Sequence, residues 1–190
     1  MKALRRRTIV SAVALFAGFG MVEIYRNWMP PVPAAAQVLA PLPTPSAWTA
    51  VGSTGVVDES GLSTFGLTGP GAGYRAGIAS VAPIEFRYNV VNTNHAGANA
   101  AVPPWTTLEL GAVAPGTSVV DATLYRVNRC TGYQSVLCQT RIASTSAGTC
   151  RLCTVPAGSF NFTSYLYYVR VAVDRNAANE TPRVNTLRIY

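Results

Sequence analysis

The sequence has few charged residues and many apolar ones. Charged residues make up 12% of the 190-residue chain and hydrophobic residues make up 49%, whereas a typical soluble domain has about 25% charged residues. An apolar N-terminal segment accounts for part of the deficit, but the later region is also rich in Ala, Val, Thr, Asn and Gly. A surface with so little charge is typical of a protein that another molecule covers.

Catalytic signatures are missing as well. His95 is the only histidine and lies in a polar segment at 92–97. The chain has no Gly-x-Ser-x-Gly turn, no phosphate-binding Gly-Lys-Ser/Thr loop and no dinucleotide-binding glycine pattern. The predicted strands carry four acids at outward positions, Glu85, Glu109, Asp121 and Asp174. Such positions favour ordinary surface charges over a glycoside-hydrolysing pair of carboxylates. We therefore expect no catalytic residue, no cofactor and no metal site.

The net charge of +7 does not indicate a nucleic-acid partner. Residues 1–29 carry +4 of it, and ten arginines against seven acids leave +3 for residues 30–190. A phosphate-binding surface needs clustered basic residues, whereas these arginines are spread one or two per predicted strand. The charge pattern therefore argues against nucleic-acid binding.

The N-terminus has the pattern of a signal anchor. Uncharged residues run from Thr8 to Val22, and a helical pattern continues to Trp28, where two prolines follow. The 21 residues from 8 to 28 would form about 31 Å of helix, enough to cross a bilayer. A signal peptide cleaved near 18–20 is the alternative. We predict a retained single-pass helix at a bacterial inner membrane, with a cytoplasmic N-terminus and a periplasmic domain.

Two sets of residues would position this helix in the membrane. Basic and aromatic residues at its two ends predict the membrane interface: Arg5, Arg6, Arg7, Tyr25, Arg26 and Trp28. Small residues within it allow close packing against other membrane helices: Ala14, Ala17, Gly18 and Gly20. The predicted partners are therefore the lipid bilayer and an integral membrane protein complex.

A proline-rich tether separates the helix from the rest of the chain. Residues 29–45 contain six prolines among small apolar residues, a composition typical of an extended spacer. The chain is therefore expected to divide into a basic tip and transmembrane helix at 1–28, a tether at 29–45 and an extracytoplasmic domain at 46–190.

The domain has the alternation of β-strands. After Ala82 the apolar residues recur with a period of two, turn residues separate the segments, and no helical pattern appears after Trp28. The pattern predicts a mainly β fold, an antiparallel β-sandwich of Greek-key or jelly-roll type. We expect the last segment, 184–190, to pair with the long strand at 162–174 as a hairpin.

Four cysteines lie within 24 residues of one another: Cys130, Cys138, Cys150 and Cys153. In an exported domain they predict two disulfides, and we favour the local pairs Cys130–Cys138 and Cys150–Cys153 while leaving Cys138–Cys150 open. A redox role would need the Cys-x-x-Cys motif at a helix N-terminus. A zinc site would need closer spacing in the first pair. Structural disulfides are therefore favoured over both.

Two kinds of function fit these features. The one we favour is a non-catalytic membrane-anchored subunit whose β domain braces a larger complex, which could be photosynthetic, respiratory or secretory. The alternative is a free-standing anchored or secreted domain that binds a glycan or a cell surface through exposed aromatics such as Tyr74, Trp105 and Tyr133. An enzyme of unknown type comes third.

Overall fold

A computed structural model of the protein describes residues 47–94 and 101–190, and these residues are mainly β. Two short 3₁₀ turns, Gly52–Thr54 and Glu59–Gly61, lie between the first strands. The strands are β1 (Trp48–Val51), β2 (Val56–Val57), β3 (Phe65–Thr68), β4 (Gly71–Tyr74), β5 (Ile84–Val90), β6 (Thr107–Asn128), β7 (Gln134–Thr154), β8 (Tyr165–Asp174) and β9 (Arg183–Ile189). The predicted mainly β class is confirmed for this part of the chain.

The strands form a sandwich in which β6 belongs to both sheets. Its first part, from Leu108 to Val113, pairs with β9, and its second part, from Val119 to Asn128, pairs with β8. Sheet I therefore joins the first part of β6 to β9, β1, β4 and β3, and sheet II joins the second part to β8, β5 and β2. The long β7 runs antiparallel to β6 along both parts, so it borders both sheets on the same side of the sandwich.

Both long strands bend where they pass from one sheet to the other. In β6 the pairing with β7 is interrupted between Ala114 and Val119, and Gly116 has a φ of 64°. In β7, Ser144 has a φ of 53° close to the same corner. A strand that changes sheets needs such a bulge or bend, and glycine adopts positive φ without a steric penalty.

The predicted alternation of apolar residues is confirmed in the strands that build the core. β5 buries every second residue, from Ile84 to Val90, and β8 does the same from Tyr167 to Val173. Inward side chains of both sheets meet in one apolar cluster, and each fully buried Val or Ile contributes about 1.5–3 kcal/mol. The outward residues of β5 and β8 are left to form the surface described below.

The C-terminal strand does not pair as the sequence predicted. Instead of forming a hairpin with β8, β9 pairs with β6, β1 and β4. The hairpin prediction was wrong because both edges of β8 are already occupied, by β5 and β6. The connecting segment at 175–182 crosses from sheet II to sheet I.

A buried arginine holds this crossing segment in place. Arg175 is 3% exposed and its guanidinium lies 3.9 Å from the centre of the Tyr74 ring. The guanidinium donates hydrogen bonds to backbone carbonyl oxygens of two loops, those of Ile78, Ser80, Ala178 and Glu180. One cation thus replaces the regular hydrogen bonds that these loops lack.

Candidate functional site

A groove opens on the side of the sandwich away from β7. It lies between β1 and β9 of sheet I and β2 and β5 of sheet II, and its volume is about 720 Å³. This volume falls within the roughly 300–1,000 Å³ of typical small-ligand sites. We call it the edge groove.

Polar side chains of both sheets line the edge groove. Thr49 of β1, Arg188 of β9 and Glu109 of β6 are direct cross-strand neighbours in one row of sheet I. Arg87 and Asn89 of β5 line it from sheet II, at exposed positions of that strand. The edge groove therefore offers hydrogen-bond donors and acceptors from two sides.

Two aromatic side chains lie beneath these polar groups and fix the shape of the edge groove. Trp48 is 4% exposed and Tyr88 is 3% exposed. The Tyr88 hydroxyl donates a 2.7 Å hydrogen bond to the carbonyl oxygen of Gly52, and burial raises the pKa of Tyr88 well above its ordinary value. These rings pack in the core, whereas the exposed side chains of Val51 and Val56 line the groove together with the polar groups.

The outer face of sheet II carries two stacked tyrosines next to the edge groove. Tyr125 of β6 and Tyr168 of β8 are cross-strand neighbours, with ring centres 4.9 Å apart and ring planes 10° from parallel. Val136 and Leu166, which are 55% and 58% exposed, flank the pair on β7 and β8. We call these four residues the tyrosine face. Asn89 is the cross-strand neighbour of Tyr168, so the tyrosine face meets the edge groove at Asn89.

The polar surroundings of Tyr168 include two arginines. The Tyr168 hydroxyl donates a 2.7 Å hydrogen bond to Oε1 of Gln134. The pKa of Tyr168 is raised, mainly by burial and secondly by the neighbouring Tyr125. The positive charges of Arg87 and Arg170 oppose that rise. Arg170 lies two residues from Tyr168 on β8, and Arg87 is the cross-strand neighbour of Arg170 on β5, so both arginines lie next to the junction of the groove and the tyrosine face.

The aromatics singled out from the sequence lie elsewhere. Trp105 is 1% exposed and Tyr74 is 7% exposed, so both belong to the core and were wrong as surface aromatics, whereas Tyr133 is 73% exposed. Sequence reasoning missed Tyr125 and Tyr168 as a pair. Each has the outward parity of its strand, but only the pairing of β6 with β8 brings the two together.

The disulfide in the described part of the chain joins one cysteine from each of the two predicted pairs. Cys138 is bonded to Cys153, with Cα atoms 5.9 Å apart, while Cys130 and Cys150 are free and exposed. Both predicted local pairs were therefore wrong, as was the prediction of two disulfides, and the open alternative Cys138–Cys150 is not formed either. Residues three apart on a strand face opposite sides, so Cys150 points away from the face that carries Cys153. The bend of β7 brings Cys153, which lies in sheet I, close to Cys138, which lies in sheet II.

The environment of the free Cys150 does not favour thiol chemistry. The pKa of Cys150 is raised, mainly by burial and secondly by the adjacent carboxylate of Glu109. A raised pKa lowers the fraction of thiolate, the reactive form, at neutral pH. The structure therefore gives no support to the redox interpretation of the Cys-x-x-Cys motif.

Two of the acids considered as a glycoside-hydrolysing pair form ion pairs with arginines. Glu85 pairs with Arg170 at 3.5 Å and Asp121 pairs with Arg141 at 2.7 Å. Residues 47–94 and 101–190 contain no group of three or more His, Cys, Asp or Glu side chains placed to hold a metal ion.

Several predicted residues lie outside the described part of the chain. These are His95, the predicted membrane-interface and helix-packing residues between Arg5 and Trp28, and the tether at 29–45. Within the two described ranges, no helix combines the length and hydropathy that a membrane crossing requires. The predicted anchor and its partners therefore stay predictions.

Comparison with known proteins yields weak structural similarities alone. No protein-family model and no curated protein sequence matches this chain. The C-terminal family 6 carbohydrate-binding module of the laminarinase LamC from Zobellia galactanivorans aligns with a TM-score of 0.45 and 11% identity, over 76% of this chain and 98% of that module. A family 35 carbohydrate-binding module from Clostridium thermocellum aligns with a TM-score of 0.40 and 12% identity, over 76% and 98%.

A third similarity is to an enzyme of which this chain spans only part. The exo-β-1,3-galactanase of Phanerochaete chrysosporium aligns with a TM-score of 0.41 and 10% identity, over 76% of this chain and 29% of the enzyme. Similarities at this level assign neither a family nor a ligand. The geometry of the described surface is what bears on function.

Proposed function

We propose that the β domain is a non-catalytic glycan-binding domain and that the edge groove and the tyrosine face form one binding surface. The observation that carries this proposal is their continuity at Asn89, which lines the groove and neighbours Tyr168. A sugar has a rim of hydroxyl groups and apolar C–H faces. It is bound best where hydrogen-bonding side chains adjoin an aromatic surface.

The two parts of this surface supply these two needs. Thr49, Glu109 and Arg188 present donors and acceptors to hydroxyl groups in the edge groove. Tyr125 and Tyr168 present aromatic surface, and their stacking holds both rings in one orientation, which lowers the entropy cost of binding. The volume of about 720 Å³ accommodates a short stretch of a polysaccharide chain rather than a single sugar.

The predicted signal anchor at 8–28 would hold this surface outside the inner membrane. In that arrangement the domain would meet glycans of the cell envelope or of the surroundings. The bracing subunit favoured from the sequence is kept as an outcome of the test, because the described residues provide no surface that favours it over glycan binding.

The test is binding of the full-length chain, purified in mild detergent, to an array of neutral and acidic glycans, followed by calorimetry on the best ligand. Removing the ring in Tyr168→Ala or the amide in Asn89→Ala should each weaken binding about tenfold, or about 1.4 kcal/mol. Tyr133→Ala removes a more exposed aromatic, in the turn between β6 and β7, and should leave the affinity unchanged.

Three results would count against the proposal. Failure to bind any glycan of the array, together with purification in a fixed ratio with a membrane complex, would favour the bracing subunit. Binding that survives both Tyr168→Ala and Asn89→Ala would refute this surface. Loss of binding in Tyr133→Ala alone would move the site to the β6–β7 turn.

A further inference from the structure

We infer that the glycan is acidic and that Arg87 and Arg170 together bind the carboxylate of a uronic acid residue lying against the tyrosine face. This inference rests on the proposed function, because it assigns a ligand class to the same surface. Its starting point is that Arg87 of β5 and Arg170 of β8 are direct cross-strand neighbours on the outer face of sheet II.

Two arginines placed opposite each other on one face of a sheet repel, which costs stability. The protein compensates this repulsion only in part. Arg87 has its Nη2 3.5 Å from Asp58 Oδ2, and Arg170 has its Nη1 3.5 Å from Glu85 Oε1. A guanidinium has five N–H donors, so one contact of this length leaves most of them available to a ligand.

Another arginine on the same face of sheet II forms a two-bond contact with a carboxylate and serves as a comparison. Arg141 of β7 contacts Asp121 through both Nε and Nη2, at 2.7 Å and 2.8 Å. This is the two-bond geometry in which a guanidinium binds a carboxylate most strongly. The Arg87–Arg170 pair lacks such a partner among the described residues, although both side chains are accessible, at 59% and 40% exposure.

The position of the pair fits a sugar that lies against the tyrosines. Arg87 and Arg170 lie two residues along their strands from Asn89 and Tyr168, a separation of about 7 Å. An arginine side chain and the carboxylate of a pyranose ring can span this distance together. Arg170 also lies 5.8 Å from the centre of the Tyr125 ring, so its guanidinium already lies beside the tyrosine face.

The test compares matched acidic and neutral oligosaccharides by calorimetry with the full-length chain in mild detergent. Trimers of galacturonate and galactose, glucuronate and glucose, and mannuronate and mannose serve as pairs. The acidic member of at least one pair should bind tenfold more tightly, which is about 1.4 kcal/mol, and added salt should reduce this advantage. Arg87→Gln and Arg170→Gln should each abolish it, while the control Arg141→Gln should preserve it.

The outcomes separate this inference from the proposed function. Equal affinity for acidic and neutral trimers overturns the acidic ligand and leaves glycan binding standing, whereas no binding to either kind overturns both. A sulfated trimer that binds more tightly than the uronate overturns the carboxylate assignment. An advantage that is lost in Arg141→Gln but kept in Arg87→Gln and Arg170→Gln overturns the assigned residues.

Discussion

Arg175 is expected to be among the most stabilising side chains of the β domain. In Arg175→Met the chain loses five hydrogen bonds from the guanidinium to four backbone carbonyl oxygens. Each hydrogen bond to a charged group contributes about 1.5–3 kcal/mol. Water can solvate the more exposed carbonyls, and burial of the methionine returns about 1.5–3 kcal/mol. The net loss should therefore be about 3–5 kcal/mol, the usual cost of removing one member of a buried charged network.

The assay is thermal and urea unfolding of the full-length chain in mild detergent, followed by near-ultraviolet circular dichroism. A loss of this size should lower the melting temperature by about 10 °C or more. Arg175→Lys retains the charge but not the planar set of donors, so it should lie between wild type and Arg175→Met. The exposed Arg151→Met is the matched control and should stay within about 0.5 kcal/mol of wild type.

One result would refute this reasoning. If Arg175→Met unfolds within about 1 kcal/mol of wild type, then the two loops do not depend on the guanidinium. Their carbonyl oxygens would in that case be satisfied by water, and Arg175 would be a packing residue only.

Two further predictions concern the disulfide and the acid stability of the domain. Alkylation of the denatured chain should modify two cysteines before reduction and four after it, and four modified cysteines before reduction would contradict the bridge. Replacing Cys138 and Cys153 together by serine should lower the free energy of unfolding by about 3 kcal/mol for a loop of this size. Glu180 has its pKa lowered by the Thr117 backbone N–H and by other donors, so its stabilisation is complete above the pKa of the unfolded chain and is lost as the pH falls through the lowered folded value. Glu180→Gln should therefore reduce the dependence of unfolding on acidic pH, whereas Glu59→Gln at an exposed position should not.

The sequence alone determined the class of the fold, because period-two alternation is a local property. An apolar residue at every second position makes a strand amphipathic whatever it pairs with, and the outward positions of Glu85, Arg87 and Asn89 follow directly from that. The basic tip and apolar run at 5–28 likewise predict a membrane anchor from local composition. These inferences needed no knowledge of which strands are neighbours.

Tertiary structure alone decided which distant residues meet. The pairing of β9 with β6 instead of β8, the Cys138–Cys153 bridge, and the stacking of Tyr125 on Tyr168 all depend on strand order and on the bend that carries β6 and β7 between sheets. Alternation tells which face a residue occupies but not its cross-strand partner, because pairing is selected by the free energy of the whole sandwich. The junction of the edge groove with the tyrosine face is a product of that selection, and so is the candidate site.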